Sequence, residues 1–361
     1  MIFGITGITK SGKTTIFNLL TGAELDTSKF AATLEEIHRG QSKVPDPRID
    51  ELAAVLKSKN KIPVVVDYLD FAGVSLGGEK ESKLVGELRT LDAIVHVLRA
   101  FEDDELPHPA GSINPKRDAQ NFLSELILND LVVVENRLER VETMLGKLKD
   151  EKKIKERELL LKVKDYLEDE KPLRDIDFDE NEALSLKGFG FLSMKPLLFA
   201  LNVSEGESAA LDSAAEKWGL QEIAVGKNIA ICPLCAQIEE EVSRLDSEER
   251  KMFMDDLGIE ELGGDRLMQT AFCLLGLITF FTGSEKETRA WSIPFGSNAV
   301  QAAGAIHTDM ARGFIRAEVI NYEDLVTAGS IAEAKSRGAF HLHGKEYTVQ
   351  DGDYVLVRFN V

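Results

Sequence analysis

Cysteine is scarce in this chain: Cys232, Cys235 and Cys273 are the three in 361 residues, too few for a disulfide framework. Long apolar runs are missing too; none approaches the roughly 20 residues needed to cross a bilayer. Met1 leads into a polar motif without a charged, apolar, cleavable leader, so a cytoplasmic protein with no membrane partner is expected. Basic residues are outnumbered, 43 Lys and Arg against 62 Asp and Glu, for a net charge of -19. That balance excludes an electrostatic grip on naked nucleic acid across the whole surface, but not a local basic patch on RNA. What is present is a chain 43% hydrophobic, long enough to bury a substantial core in two or three domains.

The most informative stretch is Gly7-Ile8-Thr9-Lys10-Ser11-Gly12-Lys13-Thr14, which reads G-x-x-x-x-G-K-[ST]. It lies between a strand-like start, Ile2-Phe3-Gly4-Ile5, and Thr15-Ile16-Phe17-Asn18-Leu19-Leu20, which has amphipathic helical spacing. Backbone N–H groups from Thr9 to Thr15 can curl round a phosphate, and the helix adds its positive N-terminal end. Lys13 reaches the terminal phosphates and the Thr14 hydroxyl ligates magnesium. The competing reading is a glycine-rich turn that binds nothing.

Downstream, the prolines of Val44-Pro45-Asp46-Pro47-Arg48 argue for a loop. A loop threonine after the first helix senses magnesium and the terminal phosphate in P-loop switches. Thr33 fits that role, Thr27 competes for it, and an ordinary loop threonine is the plain alternative. Residues 62–69, a run rich in β-branched side chains, predict a buried strand ending in Asp70-Phe71-Ala72-Gly73. Asp70 can hold magnesium through water, and Gly73 can offer its N–H to the γ-phosphate. Val74 follows where Ras-like enzymes carry a water-orienting glutamine; valine cannot hydrogen-bond that water, so slow hydrolysis is expected. After the strand predicted over 91–99, His108 sits between Pro107 and Pro109, where it can order a water or do no chemistry at all.

Leu126, Leu128, Leu131, Val134, Leu138, Val141, Leu145 and Leu148 recur mostly every three or four residues, predicting a long amphipathic helix. The stripe breaks over 147–155 and returns through Leu159 to Leu167, giving an antiparallel helical hairpin. Its tip carries Lys147, Lys149, Lys152, Lys153 and Lys155, read either as a solvated end or as a contact for an anionic partner. The next predicted core strand, 195–201, ends in Asn202-Val203-Ser204-Glu205. Switch GTPases carry Asn-Lys-x-Asp there. Glu205 in place of that aspartate moves the carboxylate by one methylene and puts guanine selectivity in question. Residues 228–236 predict the last strand of this domain, with Cys235-Ala236 where a Ser-Ala dipeptide often backs the base. Cys232-x-x-Cys235 leaves a redox or metal pair open. Acidic helices are expected over 237–257, then a break at Gly263-Gly264. A small α+β domain follows, with strands at 277–282, 288–293 and 354–359 and helices near 298–311 and 322–337.

These motifs, with Gln301-Ala302-Ala303-Gly304-Ala305-Ile306-His307-Thr308-Asp309 and Arg312-Gly313-Phe314-Ile315-Arg316-Ala317-Glu318, resemble the Obg-like ATPases of the YchF subfamily over most of the chain. The resemblance implies an α/β P-loop G domain (1–120 and 191–275) interrupted by a helical coiled-coil hairpin (121–190). A TGS domain, a ubiquitin-like module, would close the chain at 276–361. It also implies Mg2+-dependent hydrolysis of ATP in preference to GTP, ribosome association, RNA contact through the hairpin tip and the TGS domain, and a hydrolytic role for His108. Asn202, Val203, Glu205, Cys235 and Ala236 would then hold the base. Lys10 departs from the family's asparagine, which in related enzymes helps hold potassium at the phosphates; its ammonium is expected to take that electrostatic role. The switch segment around Leu76 to Leu84 is altered as well, as in a divergent paralogue.

Overall fold

The structure, a computed structural model, describes residues 1–25, 37–71, 81–103, 105–147, 150–257 and 261–360. Among them the strands in chain order are β1 (Ile2–Gly7), β2 (Ile37–Lys43), β3 (Asn60–Ile62), β4 (Val65–Phe71), β5 (Ala93–Ala100), β6 (Leu197–Val203), β7 (Ile229–Leu234), β8 (Leu277–Gly283), β9 (Glu287–Pro294), β10 (Phe314–Asn321), β11 (His341–His343) and β12 (Asp353–Phe359). The chain divides into two compact units, 1–41 with 67–274 and 42–66 with 275–361.

The first unit is built on a sheet of order β2-β4-β1-β5-β6-β7, in which β4, β1, β5, β6 and β7 pair parallel. β5 and β6 are buried along their whole length, as near-continuous apolar runs must be when helices cover both faces. From β1 the sheet grows through β4 on one side and β5 on the other. The carboxyl ends of these strands therefore meet at the edge where such topologies bind ligands.

The predicted hairpin is present as helices Pro115–Leu145 and Glu151–Glu168. Asn114 caps the first, with Pro115 at its first position; Asp150 caps the second. Ile127, Val134, Leu138 and Val141 pack with Leu160, Val163 and Leu167. Leu128, read as part of the stripe, instead lies exposed, because i+2 from Leu126 turns it off the buried face. At the hairpin's base the fully buried Asp130 accepts from Arg89 Nη1 (2.9 Å), Leu192 N (2.9 Å) and Ser193 N (2.7 Å). Losing one half of such a buried pair costs on the order of 3–5 kcal/mol, so this contact ties the hairpin to Arg89 and to the turn before β6.

Two expectations are corrected. The strand predicted over 62–69 is split: β3 ends at Ile62 and β4 starts at Val65, because Pro63 has no N–H for a ladder. Gly263 and Gly264 do not break the chain but open helix Gly263–Leu274. The buried Glu239 carboxylate accepts from both their N–H groups (2.8 and 2.7 Å). A Cβ on Gly263 would lie 2.3 Å from Glu239 Oε1, so only glycine admits this approach. Burial pushes the Glu239 carboxyl up to about 7 against the pull of the two donors.

The second unit has a mixed sheet of order β11-β10-β12-β8-β9-β3. Phe280, Ile293, Phe314, Val319 and Val355 pack with Ala302 and Ala303 of helix Ala299–Ile306, which starts in a capping box of Asn298 and Gln301. The sheet takes in residues from early in the chain: β3 runs parallel to β9, with Asn60 opposite Glu287. Helix Arg48–Leu56 joins it, Arg48 binding both Asp46 (2.8 Å) and Asp351 (2.7 Å).

Candidate functional site

The phosphate loop joins β1 to helix Lys13–Thr21. Its glycines are required by geometry: Gly7 has φ 144 with Val97 O 2.5 Å from any added Cβ, and Gly12 has φ 95 at the helix N-cap. Lys10 also takes a positive φ, 64, unusual for a residue with a Cβ. Lys13 is buried, and its ammonium donates to Gly7 O (2.7 Å) and Ile8 O (2.8 Å), inside the curl of the loop. Burial lowers it to about 8, while Asp70 pulls the other way. Thr9, Ser11, Thr14 and Thr15 complete the loop and the first helical turn around it.

The β1–β4 register sets Ile5 against Asp70, which brings Asp70 to the same edge. Thr14 Oγ1 donates to Asp70 Oδ2 at 3.1 Å. Asp70 is fully buried, its Oδ1 has no hydrogen-bond partner among the described residues, and His38 Nδ1 lies 3.9 Å from Oδ2. Burial raises the Asp70 carboxyl, opposed by Lys13, the Thr14 hydroxyl and His38. Two of the expected magnesium ligands, Thr14 and Asp70, are therefore in contact. Thr33 and Thr27, like Gly73, Val74 and the Lys149 of the hairpin tip, lie outside the described residues. The sequence carries no signal for His38: β2 is polar, with no motif to mark it.

At the other end of the edge, Asn202 bridges two loops. Its Nδ2 donates to Ser11 O (3.0 Å) and its Oδ1 accepts from Ala236 N (3.0 Å). One side chain thus ties the phosphate loop to the Cys235-Ala236 turn. Glu205 is exposed at the start of a 3-10 turn. Burial raises the Cys235 thiol, opposed by the backbone N–H groups of Ile238 and Gln237 and aided by the charges of Glu205 and Glu239. Val203 turns into the apolar cluster with Leu201 and Phe199. Cys232, buried, is pushed up to about 11 by burial. Among the described residues no group of three or more His, Cys, Asp or Glu could hold a metal ion.

His108 is buried against the start of the long helix. Its Nδ1 accepts from Ala110 N (3.1 Å), and its Nε2 lies 3.0 Å from Asp118 Oδ2. None of these partners belongs to the phosphate loop.

A family model described as a 50S ribosome-binding GTPase matches residues 2–137, and a YchF-GTPase C-terminal model, described as a protein of unknown function, matches 277–360. The chain is 40% identical to the ribosome-binding ATPase YchF of Bacillus subtilis (strain 168) over 362 residues, 99% of each chain. It is 39% identical to that of Pasteurella multocida (strain Pm70), again over 99% of each. The chain belongs to the YchF family. The solved YchF GTPase of Schizosaccharomyces pombe superposes with a TM-score of 0.85 at 28% identity, covering 99% of this chain and 97% of that one. The α/β P-loop domain with its YchF C-terminal domain is thus the family's fold. The 2–137 match holds Lys13, Thr14, Asp70 and His108, whereas Asn202 to Ala236 lie between the two matched spans. YchF relatives carry both ATPase and GTPase in their names.

Proposed function

We propose that this chain is a slow, Mg2+-dependent ATPase, preferring ATP to GTP, that acts as a nucleotide switch on the ribosome in the cytoplasm. The observation that carries the reading is the Thr14–Asp70 bond beside Lys13 in the curl of the phosphate loop. With ATP bound, Lys13 leaves the Gly7 and Ile8 carbonyls for the β- and γ-phosphates, while loop N–H groups and the helix end take the remaining charge. Thr14 and Asp70 would hold magnesium, Asp70 Oδ1, without a partner among the described residues, suiting a metal-bound water. When bound, the ion neutralises charge on the phosphates. Gly73 offers its N–H to the γ-phosphate and Thr33 senses it, both on their place in the chain. Preference for adenine rests on Glu205, one methylene too long for the bidentate grip on guanine.

Ribosome binding comes from the bacterial relatives' names. We read the second unit as a TGS domain, and the tip lysines Lys147, Lys152, Lys153 and Lys155 as the contact for RNA. For His108 to place the attacking water, its ring must leave Asp118. The same pairing favours the alternative reading, a nucleotide-gated binding module with negligible turnover. Multiple-turnover phosphate release separates the two. His108→Ala is expected to lower the rate by about a hundredfold, within the usual range for a lost general acid–base group, with ATP affinity unchanged. Wild type releasing phosphate no faster than this variant would leave the binding module standing.

A further inference from the structure

Arg99 brings a charge to the nucleotide edge for which the phosphate loop, the Asp70 contact and the Asn202 bridge give no use. It stands near the carboxyl end of β5, 1% exposed, and the β5–β6 register pairs it with Asn202. Paired residues of neighbouring strands project to the same face. The guanidinium therefore lies on the face from which Asn202 reaches Ser11 O. Its Nε donates to Phe101 O (3.1 Å), and its central carbon lies 4.7 Å from the centre of the Phe101 ring. Nη1, enclosed, has no hydrogen-bond partner among the described residues. Burial works against the charge and Asp103 partly restores it.

Arginine does not shed its proton to escape such a site, so a buried N–H without an acceptor is a standing cost that a bound anion can remove. Two acceptor-capable atoms on the same edge, Ser11 Oγ and Asp70 Oδ1, are also buried without partners among the described residues. The residue after Asn202, Val203, supplies no cation and faces the apolar cluster, and Ser204-Glu205-Gly206-Glu207 beyond it carry none. In this structure Lys13 is turned back onto the loop's own carbonyls.

We propose that Arg99 is a nucleotide-binding residue, its Nη1 donating to a phosphate oxygen of a bound nucleoside di- or triphosphate. This rests on the reading of the edge as a nucleotide site. Arg99→Met and Arg99→Lys, made in the full chain, test it by calorimetric titration with Mg·ADP and with Mg·ATP, together with thermal unfolding without nucleotide. The expected result is at least a tenfold loss of affinity for both nucleotides in Arg99→Met, the gain usual for a charge-assisted hydrogen bond. Arg99→Lys should restore part of it, and the Tm of Arg99→Met should stay level or rise. Affinities within twofold of wild type in Arg99→Met would overturn the proposal. So would a loss that comes with a lower Tm and is not relieved by lysine, the mark of a purely structural arginine. If wild type bound neither nucleotide, the nucleotide reading itself would fall, and the role of Arg99 with it.

Discussion

Lys13→Met will remove ATP turnover while making the nucleotide-free protein more stable. In the nucleotide complex the ammonium faces charge that grows on the β- and γ-phosphates. Removing one preorganised donor of this kind typically costs a factor of about 10²–10³ in rate, roughly 3–4 kcal/mol. Stability moves the other way because the charge is buried at a cost. Its folded pKa is depressed from 10.5 to about 8 by burial, a difference worth on the order of 3 kcal/mol. The sign follows from linkage. Below about 8 both folded and unfolded Lys13 are charged and the full cost is felt. Between about 8 and 10.5 the folded state sheds its proton first, and above 10.5 the cost is gone. Methionine fills much of the space without a charge, although the Gly7 and Ile8 carbonyls lose a donor and return part of the gain. Phosphate release and thermal unfolding across pH 7 to 10.5 read both effects: turnover lost throughout, and a Tm advantage over wild type at pH 7 that shrinks as pH rises.

Gly12→Ala will cost nucleotide affinity at least about a hundredfold, from two separate strains. At φ 95 an alanine sits in a region L-residues avoid; the penalty is of order 1–3 kcal/mol. Its Cβ would also lie 2.3 Å from Asn202 Nδ2. Asn202 must then move, giving up Ser11 O and Ala236 N, each bond worth about 1 kcal/mol net. The two strains separate in a double-mutant cycle with Asn202→Ala. With the asparagine truncated the clash is gone and only the backbone strain remains, so the double variant should bind more tightly than the two single losses predict, by on the order of 1–2 kcal/mol. Additive losses in ADP titrations would mean that the Asn202 bridge does not couple the two loops.

The parts of this protein legible in its sequence are those whose signal is local. β5 and β6 are apolar throughout because both faces are covered, and the hairpin repeats every three or four residues because it buries one stripe. The phosphate loop is legible because its glycines answer to φ values other residues avoid. What the sequence concealed depends on contacts across long separations. β2 is a polar strand at the sheet's edge, so neither its existence nor His38 beside Asp70 carried a periodic signal. Residues 44–48 read as a loop and 62–69 as one strand of the first domain, yet 42–66 belong to the second unit and β3 pairs with β9, more than two hundred positions away. Gly263 and Gly264 resemble a chain break until the Glu239 carboxylate is seen capping them. The sequence marks Asn202 as a base-binding residue and leaves Arg99 as one more position of a strand. Only the register shows that they stand side by side.

Direct titration of wild-type protein with Mg·ATP and Mg·GTP, under identical conditions, tests the central reading most simply. ATP is expected to bind at least about tenfold more tightly, because Glu205 is misplaced for guanine. GTP binding as tightly as ATP, or more so, would contradict it.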